Sequence, residues 1–193
     1  MASRVVRGTA IAAGVAAVIG AGLGFAFGKP VQDDDVAPAR KLAADLCSRL
    51  GDVSAMLPKA SKARLEQGGR NAVVCTADVM RRQVNTYSAA SVKVTITPYG
   101  GKLAGAGEAP FTPEVMAKRA FDRSPLDVVP DRPYPTKSEQ TANGLAGESF
   151  TTRVLVQRAD VVVLVEYTAN PVLGETARQA ATVLADRAIW EAK

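Results

Sequence analysis

Apolar residues recur along this chain with two periods, and stretches of one period alternate with stretches of the other. Leu42, Leu46 and Leu50 fall four residues apart with Cys47 beside them. Pro38 stands where a first helical turn tolerates proline, so the pattern predicts an amphipathic helix of about three turns, ended by Gly51-Asp52. Ser54 to Leu57 adds a short turn before Pro58, and residues 59–70, rich in Lys, Arg and Gly, read as an exposed loop. The period then drops to two. Val73, Cys75, Ala77 and Val79 alternate with Val74, Thr76 and Asp78, and Val92, Val94 and Ile96 alternate with Lys93, Thr95 and Thr97. These are two half-buried strands, the second broken by the Gly and Pro residues between Pro98 and Gly107.

Thr112-Pro113-Glu114 supplies a capping hydroxyl, a proline at the first helical position and an acid near the positive end of the dipole. A helix is predicted from there to about Arg123, stopping before Pro125. Residues 124–143 carry Pro125, Pro130, Pro133 and Pro135 and are expected to be irregular. Leu145 to Val156 reads as a long strand, bulged near Gly147, with Thr152, Val154 and Val156 on one face. A tight turn at Arg158-Ala159-Asp160 leads into the unbroken apolar run Val161–Val165, the mark of a central strand covered on both faces. Glu175 to Trp190 closes the series as a helix with a narrow stripe of Ala177, Ala180, Ala181, Leu184 and Ala188. Strands joined by short connections favour antiparallel pairing. The expected fold is therefore α+β, an antiparallel sheet of four or more strands covered by helices.

The N-terminus changes where this domain is expected to work. From Gly8 to Gly28 the chain carries no charge; Arg4 and Arg7 precede that stretch and Asp33, Asp34 and Asp35 follow it. It is long enough to cross a hydrocarbon core of about 30 Å as a helix, and the flanking charges put the bulk of the chain outside. Two readings stand: a retained signal-anchor, or a secretory signal peptide cleaved after Ala26-Phe27-Gly28. No cysteine lies in or just after the leader to carry a bacterial lipid anchor. The organisation expected is a membrane segment or signal peptide over 1–28, an acidic tether over 29–36, and an extracytoplasmic domain over 37–193. Gly20, Gly24 and Gly28 are spaced for close helix approach, though in so Gly-rich a stretch chance explains the spacing.

The chain holds two cysteines, Cys47 and Cys75, and in an exported protein an even pair is most simply a disulfide, here pinning the first helix to the first strand. The net charge is +5, with acidic and basic residues alternating, which argues against nucleic acid as a partner. Lys62, Arg64 and Arg70, or Arg81 with Arg82, read as solvated faces that would at most touch anionic lipid or wall polymer. Histidine is absent, which removes Ser-His-Asp and Cys-His mechanisms and the usual zinc sites. Asp122, Asp127 and Asp131 cluster, but their spacing matches no calcium loop and they read as loop acids. Ser61-Lys62 is an adjacent pair whose side chains do not face each other on a helix. The chain is accordingly read as non-catalytic, without metal or cofactor. A carboxylate or Ser/Lys hydrolase and a purely structural envelope protein are the alternatives. For partner binding, Asp131-Arg132-Pro133-Tyr134-Pro135 stands out: Arg132 and Tyr134 are common interface anchors on a stiff backbone.

Taken together, the export segment, Asp45-Leu46-Cys47 at the end of the first helix, Cys75 in the first strand, the hairpin around Val161–Tyr167 and the Ala-rich helix after Pro171 resemble a group of small actinobacterial envelope domains. These include exported lipoproteins of unassigned function and extracytoplasmic sensor domains of some Ser/Thr kinases, with a PsbP-like α/β/α sandwich. The resemblance spans roughly residues 37–190 and implies a binding or sensing module, its partner an envelope protein, lipid or wall polymer. The Ala-rich, Arg-over-Lys composition suits a high-GC actinobacterium. The chain departs from the group in lacking the lipoprotein cysteine, and nothing in it resembles a kinase domain.

Overall fold

The computed structural model describes residues 36–53, 66–68, 72–83, 86–106, 108–143 and 149–192. The leader, most of the tether, the Ser54–Leu57 turn, Ser61-Lys62, the basic residues of the 59–70 loop and the bulge near Gly147 lie outside the described residues. So do the side chains of Arg81 and Arg82. No described helix is long and apolar enough to cross a membrane.

The elements are α1 (Leu46–Arg49), β1 (Glu66–Gly68), β2 (Val73–Gln83), β3 (Thr86–Pro98), α2 (Pro113–Asp122), β4 (Asp127–Val128), β5 (Thr136–Ala142), β6 (Phe150–Arg158), β7 (Val161–Asn170) and α3 (Gly174–Glu191). The strands form one seven-stranded sheet in the order β1-β2-β3-β7-β6-β5-β4. Every neighbouring pair is antiparallel. The chain builds one half as a meander, β1 to β3, crosses the sheet by way of α2 to the far edge, and returns strand by strand until β7 pairs with β3. This is the α+β architecture expected, an antiparallel sheet covered by helices.

Register assigns the two faces. Cys75, Val94, Val165 and Val154 are aligned across four strands, as are Ala77, Val92, Tyr167 and Thr152. All are buried, and all but Thr152 belong, with Val156, Val161, Val163 and Ala169, to the main core. α1 and α3 cover this face. Ala177, Ala181, Leu184, Ala185, Ala188 and Ile189 make the inward stripe of α3, whose small side chains let the helix sit close on the sheet. Among the described residues the opposite face is covered only in part. There Ala117 and Phe121 of α2 pack on Leu155 and Val162, with Tyr99, Leu126 and Leu164 at the margin. The run Val161–Val165 is thus sandwiched, its odd positions facing α3 and Val162 and Leu164 facing α2, as an unbroken apolar strand requires.

Three expectations need correction. Within 59–70, read as a loop, Glu66–Gly68 forms β1, because its backbone pairs along β2 from Glu66 opposite Thr76 to Gly68 opposite Val74. Residues 124–143 are not irregular: they hold β4 and β5. The segment Thr136–Ala142 has no apolar alternation, and only Thr136 and Lys137 are buried. It becomes a strand because its backbone pairs along β6, from Thr136 opposite Val156 to Ala142 opposite Phe150. The first helix is also far shorter than three turns, since only Leu46–Arg49 is helical. The preceding residues are drawn across the end of β3 instead. Gly101 N donates to Ala37 O at 2.7 Å, and Arg40 Nε lies 3.1 Å from Asp160 Oδ2. Gly100 permits the crossing, because a Cβ there would stand 2.5 Å from Ala39 N. Starting a short helix is costly, and these long-range contacts outcompete it. Leu42 still packs against the core, and Gly51, at φ 74°, still ends the helix.

α2 follows its sequence signals closely. Thr112 Oγ1 accepts from Val115 N at 3.4 Å, and Pro113 opens the helix. Its C-terminal end is closed from the sheet: Nζ of the buried Lys137, on β5, donates to Asp122 O at 3.1 Å and to Ser124 O at 2.7 Å.

Candidate ligand-binding site

Because α2 covers only part of the second sheet face, a groove opens beside it. Its floor is Thr95, Thr97 and Tyr99 of β3 and the turn after it, Val162 and Leu164 of β7, and Leu155 of β6. Ala120 of α2 and the following Ser124, Pro125 and Leu126 form the wall. The space is about 370 Å³, within the range of small-molecule pockets. Register explains its character. The row Thr95–Leu164–Leu155 and the pair Thr97–Val162 present apolar carbon and methyl groups toward the helix.

The next row along the same face is ionic. Lys93, Glu166, Arg153 and Glu139 are aligned on four adjacent strands. They pair in series: Lys93 to Glu166 at 3.6 Å, Glu166 to Arg153 at 3.4 Å, and Arg153 to Glu139 at 3.8 Å. Cross-strand pairs of opposite charge favour this register, and half-exposed as they are each contributes little on its own. One row further lie hydroxyls, with Thr151 Oγ1 and Thr168 Oγ1 3.0 Å apart and Asn143 Nδ2 donating to Thr151 Oγ1 at 2.7 Å. The groove is therefore apolar under α2 and bounded by charge and hydroxyls where the helix ends. Burial pushes the Tyr99 phenol up from its ordinary pKa, strengthening its preference for the neutral, hydrogen-bond-donating form.

The residues singled out from sequence fall elsewhere. Cys47 and Cys75 are joined by a disulfide between α1 and β2, with Cα atoms 5.5 Å apart. Arg132 Nη2 is bound to both carboxylate oxygens of Asp186 on α3, at 2.5 and 2.6 Å. Tyr134 is half-buried against the main core, with the Arg158 guanidinium 5.2 Å from its ring centre. The structure thus brings Arg132 and Tyr134 to the same end of α3, each engaged with its own domain. Among the loop acids, Asp122 pairs with Lys118 at 2.6 Å, and Asp127 and Asp131 are exposed. No cluster of three potential metal-ligating side chains occurs among the described residues. The groove residues escaped sequence reading for a plain reason. Thr95 and Thr97 read as the solvent side of a strand, and Tyr99 sits in a Gly- and Pro-broken stretch with no period.

No family model matches this chain, and neither the curated proteins nor the solved structures hold a match to it.

Proposed function

We propose that this chain is an exported, membrane-tethered, non-catalytic domain that binds an envelope component bearing an apolar part, held in the groove beside α2. The observation that carries the reading is the groove itself: an apolar floor of Leu155, Val162 and Leu164 left open at the edge of a helix, with an ion-paired row at its mouth. Such a surface suits an amphiphile, whose apolar portion lies under the helix while its polar portion meets the charges and hydroxyls beyond. The charge-free Gly8–Gly28 stretch supports export, and the Cys47–Cys75 bridge suits an oxidising compartment. The resemblance to actinobacterial envelope domains points the same way.

Full-length protein purified from membranes in mild detergent is expected to carry an apolar-chain molecule, detectable by mass spectrometry after solvent extraction. Thr95→Trp puts a large ring on the groove floor at a strand position that tolerates it. This variant is expected to lower occupancy about fivefold or more while the fold is retained. Equal occupancy in wild type and variant would overturn the groove. A reporter fused after Lys193 and active only in the cytosol would overturn the export.

A further inference from the structure

A second, smaller cavity lies where the β6–β7 turn meets the end of α3. It encloses about 280 Å³ between Arg40, Arg158, Ala159, Asp160, Ile189 and Ala192. We propose that this cavity is an anion site, taking a phosphate group through the guanidinium groups of Arg158 and Arg40.

Buried polar atoms in folded proteins nearly always have partners, and those without one call for an explanation. The buried side-chain nitrogens and oxygens lacking a hydrogen-bond partner among the described residues are Arg40 Nε, Arg132 Nε and Arg158 Nη1. All belong to this end of the domain, and Arg40 and Arg158 line this one cavity. Arg40 Nε is near Asp160 Oδ2, but its N–H is not aimed at that oxygen, and its Nη2 donates to Ala192 O. Arg158 is less committed still: no hydrogen bond or ion pair holds its guanidinium among the described residues. It is kept in place by rings, 5.2 Å from the centre of Tyr134 and 5.6 Å from that of Trp190. A stacked guanidinium retains its in-plane N–H donors for an acceptor. Among the described residues of the wall Asp160 is the acid, and Arg40 offsets its charge, so these residues leave the positive charge of Arg158 unbalanced.

The ligand class follows from the donors. Two guanidinium forks are not satisfied by one carboxylate, of which Arg40 already has Asp160; a phosphate offers more oxygens and matches the planar fork. Arg158 Nη1 is sealed in the present arrangement, so contact requires the guanidinium to turn toward the cavity it already lines. Inorganic phosphate and a phospholipid headgroup share this chemistry. The headgroup gains a geometric case from the chain path. The described chain starts at Val36, Ala37 O accepts from Gly101 N, Arg40 reaches this cavity, and only residues 29–35 separate Val36 from the charge-free stretch. Those residues span about 25 Å at most when extended. The headgroup source therefore rests on the export reading; the phosphate site does not.

Trp190 is the chain's single tryptophan and lies against Arg158, so its fluorescence reports on the site. Full-length protein in a phosphate-free neutral detergent is titrated with inorganic phosphate against chloride at equal ionic strength, with calorimetry alongside. A saturable change is expected in the millimolar range or below, weakened about tenfold by Arg158→Gln and changed less than about twofold by Lys118→Gln on exposed α2. Should Arg158→Gln fail to fold, Arg40→Gln is expected to weaken binding as well. The same titration in phosphatidylglycerol nanodiscs and in discs of a neutral galactolipid separates the sources. A weaker apparent affinity for phosphate in phosphatidylglycerol alone assigns the headgroup, and equal affinity assigns free phosphate. No saturable response up to about 50 mM, or an unchanged one in a folded Arg158 or Arg40 variant, overturns the site. A cytosolic location would remove the headgroup source and leave the detergent titration intact.

Discussion

Ala159 turns the β6–β7 hairpin at φ 47°, a conformation that costs a Cβ-bearing residue about 1–2 kcal/mol. Glycine removes that strain but frees the unfolded chain by about 0.4–1 kcal/mol. Ala159→Gly is therefore expected to stabilise the domain by roughly half to 1 kcal/mol, read as a rise in the denaturation midpoint without a change in slope. No change or a loss would mean that the Ala159 side chain gives back in packing what its backbone loses. Sequence marked this turn by its position between two strands, yet not its strain, because the chain there must satisfy a hydrogen bond from Tyr99 N to Asp160 O at 2.8 Å. Arg132 and Tyr134 show the same division. Their residue types and the prolines around them were visible, whereas the partners they choose, Asp186 and Arg158, lie far along the chain.

Among the elements, the closing of α2 by Lys137 is open to a direct test. This lysine is buried on β5, and its ammonium satisfies two carbonyls at the negative end of the helix. Lys137→Met keeps the stem but leaves Asp122 O and Ser124 O without that donor, and is expected to cost about 1–3 kcal/mol in chemical denaturation. A loss below about half a kcal/mol would show that water replaces the ammonium there. Patterned elements were legible: β2, the apolar half of β3, α2 and α3 stand where their periods put them, and β7 where its unbroken apolar run does. β5 was not legible, because Thr136–Ala142 buries almost no apolar surface and owes its form to the hydrogen bonds of β6. α1 was overestimated for the converse reason: its leucine spacing is real, but Arg40 and Ala37 are held by the ends of β7 and β3.

At the scale of the whole molecule, the bridge between Cys47 and Cys75 ties the N-terminal segment to the sheet across 28 residues. Closing a loop of that size contributes about 3–4 kcal/mol on the chain-entropy model, so a Cys47→Ser/Cys75→Ser variant is expected to lose that much in denaturant unfolding. Full stability in the double variant would place the segment's hold elsewhere, in Leu46, Leu50 and Val53 of the core. The sheet order joins halves distant in sequence, and from it come both cavities. One lies where α2 stops short of covering the second face, the other where the β6–β7 turn, the end of α3 and the incoming chain converge. What could be read without coordinates was local: which stretches are amphipathic, where helices start, that histidine chemistry is absent, and that a charge-free segment precedes the domain. Those properties depend on residues a few positions apart. The non-amphipathic strand, the partners of the arginines and both cavities depend on which surfaces remain uncovered once distant segments have packed, and that is settled only by the competition among long-range contacts.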